Sequence, residues 1–451
     1  MSGARSFGRD AFASLQNRNY RTYFIGQIIS MVGTWMQTVG QSWLVLELTG
    51  SSTKIGLVVA LQTLPVLLLG PYGGVIADRV DKRRLMIILQ AGKGLLALIL
   101  GMLAVTHQVQ LWQVFVLATL LGLDNCFENP TRQSFVQEMV GREDLRNAVS
   151  LNSVLTNSAR AVGPAAAGII IATCGVGFCF LINAVSFVAV ITSLLLLDVS
   201  KLMPSPPTQR AKGQLREGLA YVRRTPAIAV PLTMMAIIGC LAYEFQVVLP
   251  IVAQQTFHGG SRTYGFMTAF MGIGAVFGGL WIAARGKTGT RSLVKAAVCF
   301  GIAIFAAAAA PNIGLELVAL VFVGFTSVSF MSRGSSTLQL AAAPTMRGRV
   351  MSLWAVAVMG STPIGGPIAG WVAEATGARG GLVLGGAACL AAAVLGACYL
   401  QFRANRPADP TDPTEPAQPG HDGAHESIDA AAPAGGPALD KAPIRLQQQA
   451  G

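Results

Sequence analysis

Long apolar blocks separated by short polar gaps run through the first four hundred residues of this chain, and the blocks are continuous rather than striped. Leu57 to Leu69, Leu85 to Val105, Phe178 to Leu197 and Leu382 to Leu400 are clear examples. Each approaches the roughly 20 residues that a helix needs to cross about 30 Å of hydrocarbon. Backbone groups in lipid must be satisfied within their own segment, so the blocks predict helices and not strands. The pattern places about twelve spans near 21–47, 54–76, 85–106, 111–133, 148–172, 177–197, 228–253, 263–284, 292–310, 313–337, 348–374 and 381–402. The stretch up to Tyr20 carries Arg5, Arg9 and Arg18 but no apolar core followed by a small-residue cleavage site, so the first span is expected to be retained.

Composition agrees with this pattern. Hydrophobic residues make up 52% of the 451 and charged residues 12%, against roughly a quarter charged in soluble domains. The net charge of +12 could suggest a nucleic-acid partner, but its distribution points to membrane topology instead. Arg79 to Arg84, Arg142 and Arg146, the cations between Lys201 and Arg224, Arg285 to Arg291, and Arg347 with Arg349 all fall in alternate gaps. The opposite gaps hold little more than Lys54, Arg262 and Arg379. The positive-inside rule then predicts a multi-pass protein with both termini cytoplasmic. The seven cysteines have no C-x-x-C spacing, and neither a disulfide framework nor a metal site is expected.

The spans divide into two sets of six. A segment of 1–20 precedes the first half, 21–197; a polar loop, 198–227, with a short amphipathic helix carrying Leu215, Leu219 and Val222 on one face, leads to the second half, 228–402. Residues 403–451 are rich in Pro, Ala, Gly and Asp, a composition expected to stay disordered. The halves echo each other, because Arg146 precedes Gly163-Pro164 by the same distance as Arg349 precedes Gly366-Pro367. A six-span repeat is the signature of transporters with a midplane site between two halves.

The turn Gly74-Val-Ile-Ala-Asp78-Arg79-Val-Asp-Lys-Arg83-Arg84 resembles the loop between the second and third helices of the major facilitator superfamily. Asp124-Asn-Cys-Phe-Glu128-Asn-Pro-Thr-Arg132-Gln, with Gly141-Arg-Glu-Asp-Leu145, Asn157, Arg160 and Gly163-Pro164, narrows the likeness to the transmembrane secretion effector branch, which includes the enterobactin exporter and related drug-proton antiporters. The likeness covers about residues 15 to 402. It implies the twelve-helix, all-α major facilitator fold in a bacterial-type cytoplasmic membrane. It also implies a cytoplasmic latch in which Asp78, flanked by Gly74, Arg79, Arg83 and Arg84, meets the start of the eleventh span at Arg347 and Arg349. Asp81 stands where the superfamily commonly has glycine, and the counterpart loop, 285–291, has no aspartate. The extended glycine pattern of many antiporters before Gly163-Pro164 is largely missing.

Charged residues inside the spans are the candidates for chemistry. Asp124, Glu128 and Arg132 recur every four residues and share one helix face. Asp124 is about 20 Å deep and Arg160 about 18 Å deep in the adjacent antiparallel span, so an Asp124 to Arg160 ion pair is expected. Such a pair is either a proton-exchanging group or a structural brace. Glu244 is the isolated acid of the second half and a candidate for proton or cation contact. Lys93 and Lys295 are near enough to span ends to snorkel. Trp35 lies several turns inside the first span, where it could stack on a substrate.

Enzyme signatures are missing. Gly286-Lys287-Thr288 imitates the end of a phosphate loop, but Trp281 occupies the place of its first glycine, and neither H-E-x-x-H nor G-x-S-x-G occurs. The expectation is a monomeric secondary transporter without cofactors that exports a siderophore, drug or secondary metabolite in exchange for protons. Import by uniport or symport, and a non-transporting scaffold or sensor acting through its tail, are the alternatives.

Overall fold

The computed structural model describes residues 12–77, 79–203, 214–285 and 288–405, and the described chain is helical throughout apart from turns and short links. The first half holds α1 (Arg18–Thr49), α2 (Ser52–Ala77), α3 (Lys82–Val105), a long helix Leu111–Cys174, and α6 (Val176–Leu195). Gly141 breaks the long helix, with φ at 73°, a conformation glycine adopts without a Cβ penalty. The break separates α4 (111–140) from α5 (142–174). The sequence pattern predicts a polar link from 134 to 147; the helix instead continues through it, because one glycine turns the chain while the flanking residues keep helical hydrogen bonding.

The second half begins with the amphipathic α7 (Gln214–Arg224). The seventh span is discontinuous: α8 (Pro226–Leu241), then α9 (Phe245–Ile251) running into a π turn, Val252–Thr256. After α10 (Ser261–Arg285), α11 (Thr290–Ala309) and α12 (Ile313–Ala341), the eleventh span is also interrupted, as α13 (Arg347–Met359) and α14 (Thr362–Thr376). α15 (Gly380–Ala404) is the twelfth. Ten of these segments are long and apolar enough to cross a membrane by composition alone. The other two, α1 and α4, have the length, but polar and charged residues lower their mean hydropathy. Those residues form the site described below.

Local caps set several helix ends. The Asn17 side chain accepts from the Asn19 and Tyr20 amides to start α1, and Gly50, in the left-handed region at φ 64°, ends it. Asp81 accepts from the Arg84 amide at 2.9 Å and caps α3, which explains an acid at a place where the superfamily commonly has glycine. The entry to α1 is tied to the Gly141 corner: Asn17 donates to the Met139 carbonyl (2.7 Å), Ser14 bonds to Asn147, and the Tyr20 hydroxyl donates to the Ala148 carbonyl (3.0 Å).

Small residues bring backbones together, as packing in lipid favours. A Cβ at Gly274 or Gly324 would lie 1.9 Å from the Val321 or Met271 carbonyl, so α10 and α12 touch backbone to backbone. The two halves meet in the same way along two seams. Between α2 and α14, a Cβ on Gly56 would lie 2.3 Å from the Gly366 carbonyl and one on Gly370 would lie 2.4 Å from that of Ser52. Here the Ser52 hydroxyl donates to the Gly370 carbonyl and the Thr53 hydroxyl to Glu374. Between α5 and α10, Gly265 approaches the Pro164 carbonyl and Gly272 that of Arg160. Both seams run from the end bearing the 50–51, 257–260 and 377–379 links, called here the neutral end, to about mid-depth.

The internal repeat is visible in this packing, one residue out of the sequence register. Gly163 packs on α1 of its own half as Gly365 packs on the Cys240 carbonyl of α8, while Pro164 and Gly366 face the opposite half. The sequence pairs Gly163-Pro164 with Gly366-Pro367; the equivalent contacts pair 163 with 365. At the opposite, basic end α7 docks on α13 through Arg349 and Glu217, 2.5 Å apart, and through Gly218, where a Cβ would lie 3.2 Å from that of Arg349; Val222 is buried, whereas Leu219 is exposed.

Candidate functional site

α1 carries Gln27, Ser30, Thr34, Gln37, Thr38 and Gln41 at three- and four-residue steps, a polar stripe on an otherwise apolar helix. Such a stripe cannot face lipid cheaply and turns inward. It forms one wall of a polar cavity lined by Thr34, Gln37, Thr38, Gln41, Gln62, Lys93, Leu121, Asn125, Asn183 and Phe187. Asn183 donates to Gln37 at 2.6 Å, and Gln41 to Gln62 at 3.3 Å. A smaller adjoining cavity shares Thr38, Gln41 and Gln62 and reaches Gln246 of the second half. The stripe was readable in the sequence as helical spacing of amides and hydroxyls, a signal the charge-based reading passes over.

Lys93 of α3 closes the cavity and is 12% exposed. Its Nζ lies 3.6 Å from Asp124 Oδ2 and 3.5 Å from Glu128 Oε2, and Arg132 Nε lies 3.1 Å from Glu128 Oε1. The four-residue spacing on α4 therefore presents both acids to one ammonium, as the sequence pattern predicts, but the partner is Lys93. Asp124 does not pair with Arg160. Equal depth places two side chains at one level without turning them toward each other, and the Gly92 backbone, which a Cβ would bring to 3.2 Å from Asp124 Oδ1, sets Lys93 nearer. Lys93 is not a snorkelling lysine, whereas Lys295 is exposed.

Arg160 instead lies over the Trp35 ring, its Cζ 4.9 Å from the centroid. Gly163 makes the contact possible, because a Cβ there would fall 2.6 Å from that of Trp35. Tyr243 of the second half stands within electrostatic reach of Arg160, and its hydroxyl donates to the Ser327 carbonyl at 2.8 Å. Glu244, 4% exposed, stands at the N-cap position of α9, at the break of the seventh span, without a side-chain capping bond. It faces Thr362 at the break of the eleventh, a Cβ on Gly366 would lie 3.5 Å from its Oε2, and its Oε1 has no hydrogen-bond partner.

The expected latch residues take varied positions. Arg83 donates to the Leu194 and Leu195 carbonyls at 2.7 and 3.0 Å, closing the C-terminal end of α6. Arg84 is exposed beside Asp81, and Arg79 and Arg347 are exposed. Arg349 is engaged with Glu217. Asp78 lies outside the described residues, as do the surroundings of the Gly74 position. A residue the pattern treats only as an orientation charge, Lys82, pairs at 2.7 Å with Glu138 of α4, both 9% exposed. Arg333 contacts Ser292.

The family model of the transmembrane secretion effectors matches residues 9–418. Among curated relatives, the staphyloferrin A transporter of Staphylococcus aureus is 27% identical over 56% of this chain, and the match spans 64% of that transporter's length. The multidrug efflux pump Tap of Mycolicibacterium fortuitum is 26% identical over 76% of this chain and 87% of its own. The enterobactin exporter EntS of Shigella flexneri is 24% identical over 78% and 84%. A solved POT family transporter in complex with 5-aminolevulinic acid superposes with a TM-score of 0.70 at 11% identity, covering 86% of this chain and 96% of that one, a likeness of fold. With its bundle of membrane-length helices, the chain belongs to the transmembrane secretion effector family of the major facilitator superfamily, a family of transporters rather than enzymes.

Proposed function

We propose that this transporter exports a small organic molecule across the cytoplasmic membrane in exchange for protons, by alternating access between its two halves. The observation that carries this reading is the sharing of Lys93 by Asp124 and Glu128 at the wall of a polar cavity. Two cations, Lys93 and Arg132, face the two carboxylates, and Lys93 is the one divided between them. Arg132 serves Glu128, so Asp124, whose ion-pair distance is long and whose Oδ2 accepts no hydrogen bond, is the carboxyl free to trade Lys93 for a proton. Intramembrane acids of this kind serve as proton relays. Glu244 is a second candidate acid at the interrupted spans, where transporters place ion and substrate sites.

Among the described residues, the backbone-to-backbone glycine contacts between the halves lie from the neutral end to about mid-depth, which supports a state closed at that end. The positive-inside rule makes the basic end cytoplasmic and both termini cytoplasmic. Rocking the halves would open the Gly56, Gly370 and Gly265 contacts and bring Asp78, Gly74 and Arg79 toward Arg347 and Arg349. We take the working unit as a monomer, its lipid-facing helices requiring only the bilayer. Relatives named for siderophores and drugs support export of a siderophore, drug or secondary metabolite.

The test is uptake into everted vesicles with an acid interior, using ethidium, erythromycin and a catechol siderophore in turn. At least one compound should accumulate, and collapsing the gradient should abolish its accumulation. Accumulation that ignores the gradient would refute antiport.

A further inference from the structure

We propose that Arg160 is the cargo-binding group for a carboxylate, held ready by Trp35, so that the transported molecules are organic carboxylates. This rests on the export reading above and names its substrate class. The charges buried in the first half balance without Arg160: Lys82 pairs with Glu138, and Lys93 and Arg132 share Asp124 and Glu128. Arg160 is left over. Among the described residues no carboxylate lies within ion-pair distance of it, and its Nε is buried without a hydrogen-bond partner. Glu244 is engaged at Thr362, and the Tyr243 hydroxyl already donates to Ser327.

A desolvated cation without a counter-ion is costly. Here it is kept in a defined pose, because the guanidinium lies over the Trp35 ring at 4.9 Å, and Gly163 lets α5 and α1 approach closely enough for that contact. The ring contact consumes no N–H, and Nε has no hydrogen-bond partner; the guanidinium N–H edge is the fork that grips a carboxylate with two parallel hydrogen bonds. The position suits cargo. Gly272 of α10 packs on the Arg160 carbonyl at the inner limit of the α5 to α10 seam, the level at which a bound molecule passes from one side's access to the other's. Trp35 is then a positioning residue, acting through Arg160.

The experiment uses the full chain in phosphatidylcholine nanodiscs and a matched pair of probes, 4-phenylbenzoate and 4-phenylbenzamide, read by ligand-dependent shift of the unfolding temperature. Wild type should bind the acid about tenfold or more tightly than the amide, the size of effect expected for hydrogen bonds to a charged group. R160Q should bind both alike, R160K should retain part of the preference, and W35L should weaken acid binding although the guanidinium remains. Because R160Q removes an unpaired charge, it should unfold no earlier than wild type. No preference in wild type, an undiminished preference in R160Q, or early unfolding of both R160Q and R160M would overturn the proposal, the last because it would mean that the arginine already has a partner. Gradient-driven uptake is measured separately: an acid preference lost in R160Q alongside uptake indifferent to the gradient would leave the subsite standing and remove antiport.

Discussion

Lys93→Met is the most informative single change, because it strands one acid and only half-strands another. In the native arrangement the ammonium stands 3.6 Å from Asp124 and 3.5 Å from Glu128, all three side chains being about nine-tenths buried. Removing one partner of a buried ion pair costs about 3–5 kcal/mol. Glu128 keeps Arg132 at 3.1 Å, so the loss falls on Asp124. Adding Asp124→Asn removes the stranded charge and should return the double variant to within about 1–2 kcal/mol of wild type, since exchanging both members of a buried pair is often near neutral. Adding Glu128→Gln instead leaves Asp124 and Arg132 both unpaired and should rescue nothing. Equilibrium unfolding of the purified variants in mixed micelles measures all three. Wild-type stability of Lys93→Met, or equal rescue by the two second substitutions, would refute the ion-pair account.

Three further outcomes are expected, two from named contacts and one from the sequence resemblance at Asp78. Gly56→Ala and Gly265→Ala, which place a Cβ 2.3 and 2.6 Å from a carbonyl of the other half, should leave abundance near normal while raising maleimide labelling of a cysteine introduced at Thr53. Gly274→Ala, 1.9 Å from a carbonyl within its own half, should lower abundance instead, and the reverse pattern would contradict the assignment of the seams. Lys82→Met should destabilise by about 3–5 kcal/mol in the same unfolding assay, whereas Arg84→Ala, at an exposed cation, should change stability by less than about 1 kcal/mol. Asp78→Asn should reduce turnover at normal abundance; full activity at equal expression would remove the latch.

Continuous apolar blocks made most spans legible, since nothing but a membrane helix satisfies such runs. α1 and α4 were legible too, although their polar residues lower their hydropathy, because the apolar residues around them still fill a membrane-length segment between charged gaps. The face formed by Asp124, Glu128 and Arg132 could be read because it depends on spacing within one helix. Its partner could not: depth along a helix follows from rise per residue, but which neighbour a side chain meets depends on rotation, and rotation is set by contacts such as Gly163 on Trp35 and Gly92 beside Asp124. Hence Arg160 was assigned to Asp124 and Lys93 to the interface with water. The breaks at 242–244 and 360–361 were hidden for a related reason. The first has no proline at the break; the second is followed by Pro363 in the first turn of α14, a helix-start signal that an unbroken apolar span passes over, and across the two breaks Gly365 packs on Cys240 and Glu244 faces Thr362. Lys82 was masked by its neighbours Arg83 and Arg84, because a run of cations reads as an orientation signal whatever one member does.

The proposed exchange trades departing cargo for a proton taken at Asp124. Everted vesicles preloaded with a pH indicator, given an acid interior and then one of the exported compounds, report both fluxes at once. Wild type should alkalinise the interior as the compound enters, and Asp124→Asn at equal abundance should abolish the coupled proton movement. Compound entry by Asp124→Asn with unchanged proton movement and unchanged pH dependence would contradict it.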